Sequence, residues 1–133
     1  MTNEKGTFPE VSRVGEYVAV LNFSIPTKEG SAVIFMACDG FSEFGFNICM
    51  EPNESADSVV KAVYLLTENK DFVRNMHEGF TLVFDRWEEL SERLNAVVKP
   101  MNGNILFDKA FHTHLAKPLV STFSLFLQGV AKK

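Results

Sequence analysis

Between residues 16 and 24 six of nine positions are apolar, with Tyr17, Ala19, Leu21 and Phe23 alternating against Val18 and Val20. That pattern, rich in β-branched and aromatic residues, predicts a strand covered on both faces. Pro26 and Gly30 then punctuate the chain, and residues 31–38 form a second run that is apolar on both faces. Asp39-Gly40 predicts a type I′ turn into a third strand, with Phe44, Phe46, Ile48 and Met50 on one face. In that register Cys38 lies beside Phe41 and far from Cys49, so both thiols are expected to be buried and reduced.

The period changes after the polar stretch 51–58. Val59, Val60, Val63 and Leu66 recur at helical spacing, and Ser55 or Asp57 can cap a helix over residues 57–69. Residues 70–79 predict a short turn before a half-buried fourth strand at 80–84, where Phe80, Leu82 and Phe84 alternate with Thr81 and Val83. A helix over 85–98 follows, with Asp85 as cap, Glu88 closing a capping box, and Trp87, Leu90, Leu94 and Val97 as its apolar stripe. Arg86, Glu89, Glu92 and Arg93 fall on its opposite face. Pro100 and Asn102-Gly103 end it and lead into a fifth strand at 104–108. Residues 119–130 predict a last helix, with Pro118 in its first turn.

The order β-β-β-α-β-α-β-α predicts an α/β or α+β domain on a five-stranded mixed sheet, its last strands parallel and joined by right-handed crossovers. An antiparallel meander leading into two crossover units resembles the ribonuclease H-like fold in topology. The resemblance implies metals held by acidic residues on the first strand, the first helix, the end of the fourth strand and the last helix. Asp85 stands at the third of these places and Asp57 near the second; the first strand offers Asn22, and the last helix offers no carboxylate.

Composition narrows the classes. With 133 residues, 46% hydrophobic and 23% charged, the chain can bury a core, which excludes intrinsic disorder and collagen-like fibres. One domain over residues 1–133 is expected, with residues 1–14 a loosely ordered arm. A net charge of -4 supplies no basic field for a phosphate backbone, so nucleic acid is disfavoured as a partner. The start MTNEKGTFPE lacks the apolar core of a signal peptide, and two cysteines are too few for a disulfide framework. The expected location is cytoplasmic, and with no apolar run near the roughly 18 residues of a span, no membrane is expected as partner. Phosphate-binding glycine loops and the G-x-S-x-G nucleophile elbow are absent.

The candidate chemistry is sparse. Glu51, Asp85 and Asp108 stand at the C-terminal ends of strands, where open sheets place their ligands. Asp85 and Asp108, with Asp57, are the candidate ligands for Mg²⁺ or Mn²⁺; helix capping by both aspartates and a solvated Glu51 are the competing structural reading. His112 and His114 form an H-x-H pair, with His77 a distant third imidazole, that could share Zn²⁺ in an extended segment but not on a helix. Cys38 and Cys49, in apolar strands, are expected to be inert. Thirteen phenylalanines against one Trp read mainly as a Phe-rich core, but strands apolar on both faces need cover on two sides, and three helices leave one side short. Phe41, Phe44, Leu125 and Phe126 are therefore the expected interface of a homodimer or of another protein partner. The expected function is a small non-enzymatic binding or interaction module without catalytic residues. The second reading is a divalent-metal-dependent phosphodiesterase or nuclease of degenerate ribonuclease H-like type.

Overall fold

The computed structural model describes residues 8–74 and 79–131, with side chains as far as Thr122. The two apolar runs pair antiparallel as β1 (Tyr17–Thr27) and β2 (Gly30–Asp39), and β3 (Gly45–Glu51) adds to β2. The chain continues through α1 (Ala56–Glu68), α2 (Lys70–Val73), β4 (Phe80–Phe84), α3 (Ser91–Val98), β5 (Gly103–Phe107) and α4 (Lys109–Ala131). Strand order is β3-β2-β1-β4-β5, with β4 parallel to both β1 and β5. The mixed five-stranded sheet and the parallel β4–β5 crossover are as the alternation of elements predicts.

Residue parity along the strands divides the core in two. Val18, Val20, Phe35, Leu82 and Phe84 face one side, where α1, α2 and α3 contribute Val59, Val63, Leu66, Phe72, Leu94 and Val98. Ala19, Leu21, Cys38 and Val83 face the other, where α4 supplies Phe111, Leu115 and Ala116. Burying each such side chain contributes about 1.5–3 kcal/mol, so each helix is held mainly by its stripe. The Trp87, Leu90 and Leu94 stripe is buried as expected, but Val98 and not Val97 is its fully buried last member.

Five local expectations are corrected. The Asp39-Gly40 turn is not a two-residue hairpin: the amide of Asp39 donates to the carbonyl of Phe44, and positive φ falls on Glu43. The cause is the Asp39 carboxylate, buried to 2% exposure, which accepts from the amides of Gly15 and Ser42 and the Ser42 hydroxyl at 2.6–2.7 Å. Cys38 therefore pairs with Gly45 and not with Phe41. A register shift at Phe35/Met36 lets Phe46, Ile48 and Cys49 all pack on the core and leaves Met50 56% exposed, breaking the predicted face of β3.

The helix after β4 does not begin at Asp85. Trp87 takes a left-handed conformation (φ 79°), a 3₁₀ turn runs over Glu88–Leu90, and no side chain caps it. The last helix, by contrast, starts ten residues earlier than its apolar stripe suggests. Asp108 accepts from the amide of Phe111 at 3.0 Å, which starts α4 at Lys109 and places Pro118 inside it. The tertiary contacts of Phe111, Leu115 and Ala116 outweigh the proline penalty of about 3 kcal/mol.

Both cysteines are free, Cys38 buried and Cys49 partly so. Burial, reinforced by the charges of Asp39 and Glu43, pushes the Cys38 thiol up to about 11. Its sulfur donates to the carbonyl of Leu115 at 3.5 Å, so this thiol is a packing element between β2 and α4.

Candidate active site

The middle of β1 and the C-terminal end of parallel β4 open into a crevice of about 580 Å³ closed on one side by α4. Ala19 pairs with Val83, so the same register sets Leu21 and Asn22 of β1 level with Asp85 and Arg86 just past β4. Asn22, Asp85, Arg86, His112, His114 and Lys117 all line this crevice.

Asp85 is left over from helix capping, the role that competes with ligand binding for this residue type. Among the described residues it pairs with Arg86, 3.7 Å away at a quarter-exposed carboxylate. Asn22 has the parity of Val18 and Val20. Its Oδ1 accepts from Arg86 at 3.2 Å, and its Nδ2 is buried with no hydrogen-bond partner among the described residues. An unmade bond of this kind costs about 1–3 kcal/mol, which strand packing alone gives no reason to retain.

Arg86 joins these groups to a second acid. Its Nη2 also reaches Glu54 at 3.1 Å, and Glu54 in turn accepts from the indole N–H of Trp87 at 2.8 Å. The guanidinium carbon lies 4.6 Å from the centre of the Trp87 ring. Glu54 immediately precedes the Ser55 cap of α1, whose capping box with Ser58 fixes where that acid sits.

From α4, His112 is buried, and its Nε2 lies 2.8 Å from the carbonyl oxygen of Val20. A carbonyl only accepts, so Nε2 is the donor in this contact. His114 instead stacks on Phe8, ring centroids 4.8 Å apart. On the helix the two histidines thus turn to different partners, and a shared zinc is not assembled; His77 lies outside the described residues. Asp108 follows Phe107, the partner of Phe84, and so lies beside Asp85 in register, but it is engaged as the cap of α4. Asp57 is 92% exposed and pairs with Arg93 at 3.0 Å, and Glu51 pairs with Lys61 at 3.0 Å. Among the described residues no three His, Cys, Asp or Glu side chains cluster as a metal site. Phe41 and Phe44 are 51% and 59% exposed, while the side chains of Leu125 and Phe126 lie outside the described residues.

The chain has the sheet order and parallel crossovers of a ribonuclease H-like fold. Its likeness to solved structures is one of fold. The HTLV-2 integrase catalytic core domain, in complex with magnesium and in dimeric form, superposes with a TM-score of 0.55 at 9% identity, over 86% of this chain and 75% of that one. The same core in trimeric form gives 0.54 at 10% identity, over 84% and 72%. The catalytic domain of the Mos1 mariner transposase gives 0.56 at 12% identity, over 90% of this chain and 62% of that one. No family model and no curated protein matches the sequence.

These neighbours correct the functional expectation. The sequence reading of a non-enzymatic binding or interaction module rested on missing motifs, whereas the fold is that of catalytic domains. The expectation that nucleic acid is disfavoured rested on net charge alone and is not supported by neighbours of this kind. Among the described residues, no helix is long and apolar enough to cross a membrane.

Sequence reasoning named Asp85, His112 and His114 but missed Glu54, Arg86 and Lys117. Helical periodicity had placed Arg86 on a solvated face, and the left-handed Trp87 that redirects it leaves no sequence signal.

Proposed function

We propose that the chain is a divalent-metal-dependent phosphodiesterase or nuclease of degenerate ribonuclease H-like type, acting on a nucleic-acid strand in the β1–β4–α4 crevice. The observation that carries this reading is the placement of Asp85: just past the C-terminal end of β4, level with Leu21 of β1, lining the crevice with Asn22 and relieved of capping. The crevice offers a single carboxylate, which supports at most one Mg²⁺ or Mn²⁺ completed by water and substrate. Mg²⁺ sites commonly use one or two carboxylates, with water and substrate phosphate completing the shell, and here Asp85 is the one available carboxylate. The amide oxygen of Asn22 is the neighbouring neutral oxygen; the α4 face presents Thr113, Ala116 and Lys117, none of them acidic.

Bound at Asp85, a divalent ion supplies Lewis-acid polarisation of a phosphoryl oxygen. The chain's own groups do the rest. Exposed Lys117 meets the charge of the strand, the Nδ2–H of Asn22, unpaired among the described residues, offers a donor to an acceptor oxygen, and the His112 ring is oriented by its contact to the Val20 carbonyl. Local cations replace the basic field that a net charge of -4 withholds. The test is incubation of end-labelled single- and double-stranded DNA and RNA with the protein and Mn²⁺ or Mg²⁺. Cation-dependent cleavage, abolished by chelation, is expected; no cleavage of any of these strands with either ion would refute the reading.

The reading includes a homodimer and a cytoplasmic location, the second supported by reduced Cys38 and Cys49. Phe44 meets Phe46 edge-on at 5.0 Å yet leaves most of its ring, like that of Phe41, in solvent. With Leu125 and Phe126 these rings form the proposed contact. Sedimentation equilibrium is expected to show a dimer that Phe44→Glu dissociates; a monomer persisting at high micromolar concentration would contradict it.

A further inference from the structure

We infer that the β1–β4–α4 crevice holds a nucleotide phosphomonoester directly between Arg86 and Lys117, with no metal ion bridging them. The inference rests on the reading of the crevice as a nucleic-acid site and is independent of the divalent ion in that reading.

The lining of the crevice carries more positive than negative charge. Arg86 and Lys117 stand against one carboxylate, Asp85, in a chain whose net charge is -4. Glu54, the second acid on Arg86, is not part of the lining. Lys117 is exposed and pairs with no acid among the described residues.

Arg86 is positioned without being saturated. Its Nη2 donates to Asn22 Oδ1 at 3.2 Å and to Glu54 at 3.1 Å, and its guanidinium carbon lies 4.6 Å from the Trp87 ring centre. Nη1 lies 3.7 Å from Asp85, beyond hydrogen-bond reach, which leaves donors for a phosphoryl oxygen. Asn22, in the same wall, keeps an Nδ2 with no partner among the described residues. A guanidinium held in place loses little freedom on binding, and its planar fork matches two phosphate oxygens.

On the opposite wall Ala110, Thr113, Lys117 and Val120 follow at intervals of three and four, so they share one face of α4. The small Ala110 and Thr113 leave room beside the lysine, and Leu21 and Val120 give the crevice an apolar part for a nucleoside. Its volume of about 580 Å³ lies within the roughly 300–1,000 Å³ of clefts that take small ligands, and exceeds what a phosphate alone would fill. A phosphomonoester carries about 1.5–2 negative charges at neutral pH, more than a phosphodiester, and so gains more from two cations.

The experiment is isothermal titration calorimetry in EDTA with deoxyadenosine monophosphate, deoxyadenosine, and a short oligodeoxynucleotide with and without a 5′-phosphate. The monophosphate is expected to bind at least about tenfold more tightly than the nucleoside, the size of one hydrogen bond to a charged group. Lys117→Ala and Arg86→Gln should each weaken it about tenfold, whereas Lys109→Ala, at an exposed lysine outside the lining, should not. If Arg86→Gln fails to fold, the exposed Lys117 carries the test. Tighter binding of the phosphorylated strand than of the unphosphorylated one would make strand ends the source of the phosphomonoester; equal binding of the two strands, with the monophosphate still bound, would make free nucleotides the source. Equal affinity for monophosphate and nucleoside, binding that appears only when Mn²⁺ replaces EDTA, or binding unmoved by Lys117→Ala would overturn the inference. Because binding is read in chelator and without turnover, those results are distinct from a failure of cleavage, which overturns the functional reading instead.

Discussion

Asp85→Asn is expected to abolish cation-dependent strand cleavage, a loss of at least a hundredfold, while lowering the melting temperature by no more than about 4 °C. The two halves of that expectation come from one observation. A capping aspartate contributes about 1 kcal/mol through bonds to helix amides. Here the turn after β4 has no side-chain cap, and the partner of Asp85 is a half-exposed Arg86 at 3.7 Å, a pair worth at most about 1 kcal/mol. Activity assays beside thermal melts decide it. Cleavage at wild-type rate by this variant would remove Asp85 from the chemistry, and a fall of tens of degrees would return it to a structural role.

Phe84→Ala is expected to cost about 3–5 kcal/mol, a large share of the 5–15 kcal/mol typical of a domain. Phe84 is fully buried at the last position of β4, edge-on to Trp87 at 5.9 Å and tilted against Phe107 at 5.7 Å. The cavity left by its removal would lie beneath Trp87, whose indole anchors Glu54 and whose face carries Arg86. Urea unfolding should show the midpoint falling with an unchanged slope. A loss below about 1 kcal/mol would mean that the site does not rest on this ring.

What the sequence made legible follows from how local each cause is. Alternation in Phe80, Leu82 and Phe84 and the stripe of Trp87, Leu90 and Leu94 are set by residues within a few positions of each other, and they announced β4, the crossover helix and the parallel pair. The element order then carried the sheet topology. The loop after Asp39 was misread because its carboxylate is filled by Gly15, 24 residues away. Pro118 suits a first turn, but Asp108 begins the helix ten residues earlier and Phe111 and Leu115 hold it through the proline. At the site, Asp85 was visible by its place at a strand end. Arg86 and Glu54 were not, since 32 residues separate them and the positive φ of Trp87 that aims the arginine has no compositional mark.

The central claim is that a single divalent ion is held at Asp85, in the β1–β4–α4 crevice, together with a nucleic-acid strand. It is tested most directly by adding substoichiometric Mn²⁺ to isotope-labelled protein with a bound oligonucleotide and recording amide resonances. The account predicts paramagnetic broadening centred on Asp85 and Arg86, reaching Asn22 and the first turns of α4 near His112, and absent in Asp85→Asn. Broadening centred elsewhere, on Glu51 or Asp57 for example, or broadening that survives Asp85→Asn, would contradict it.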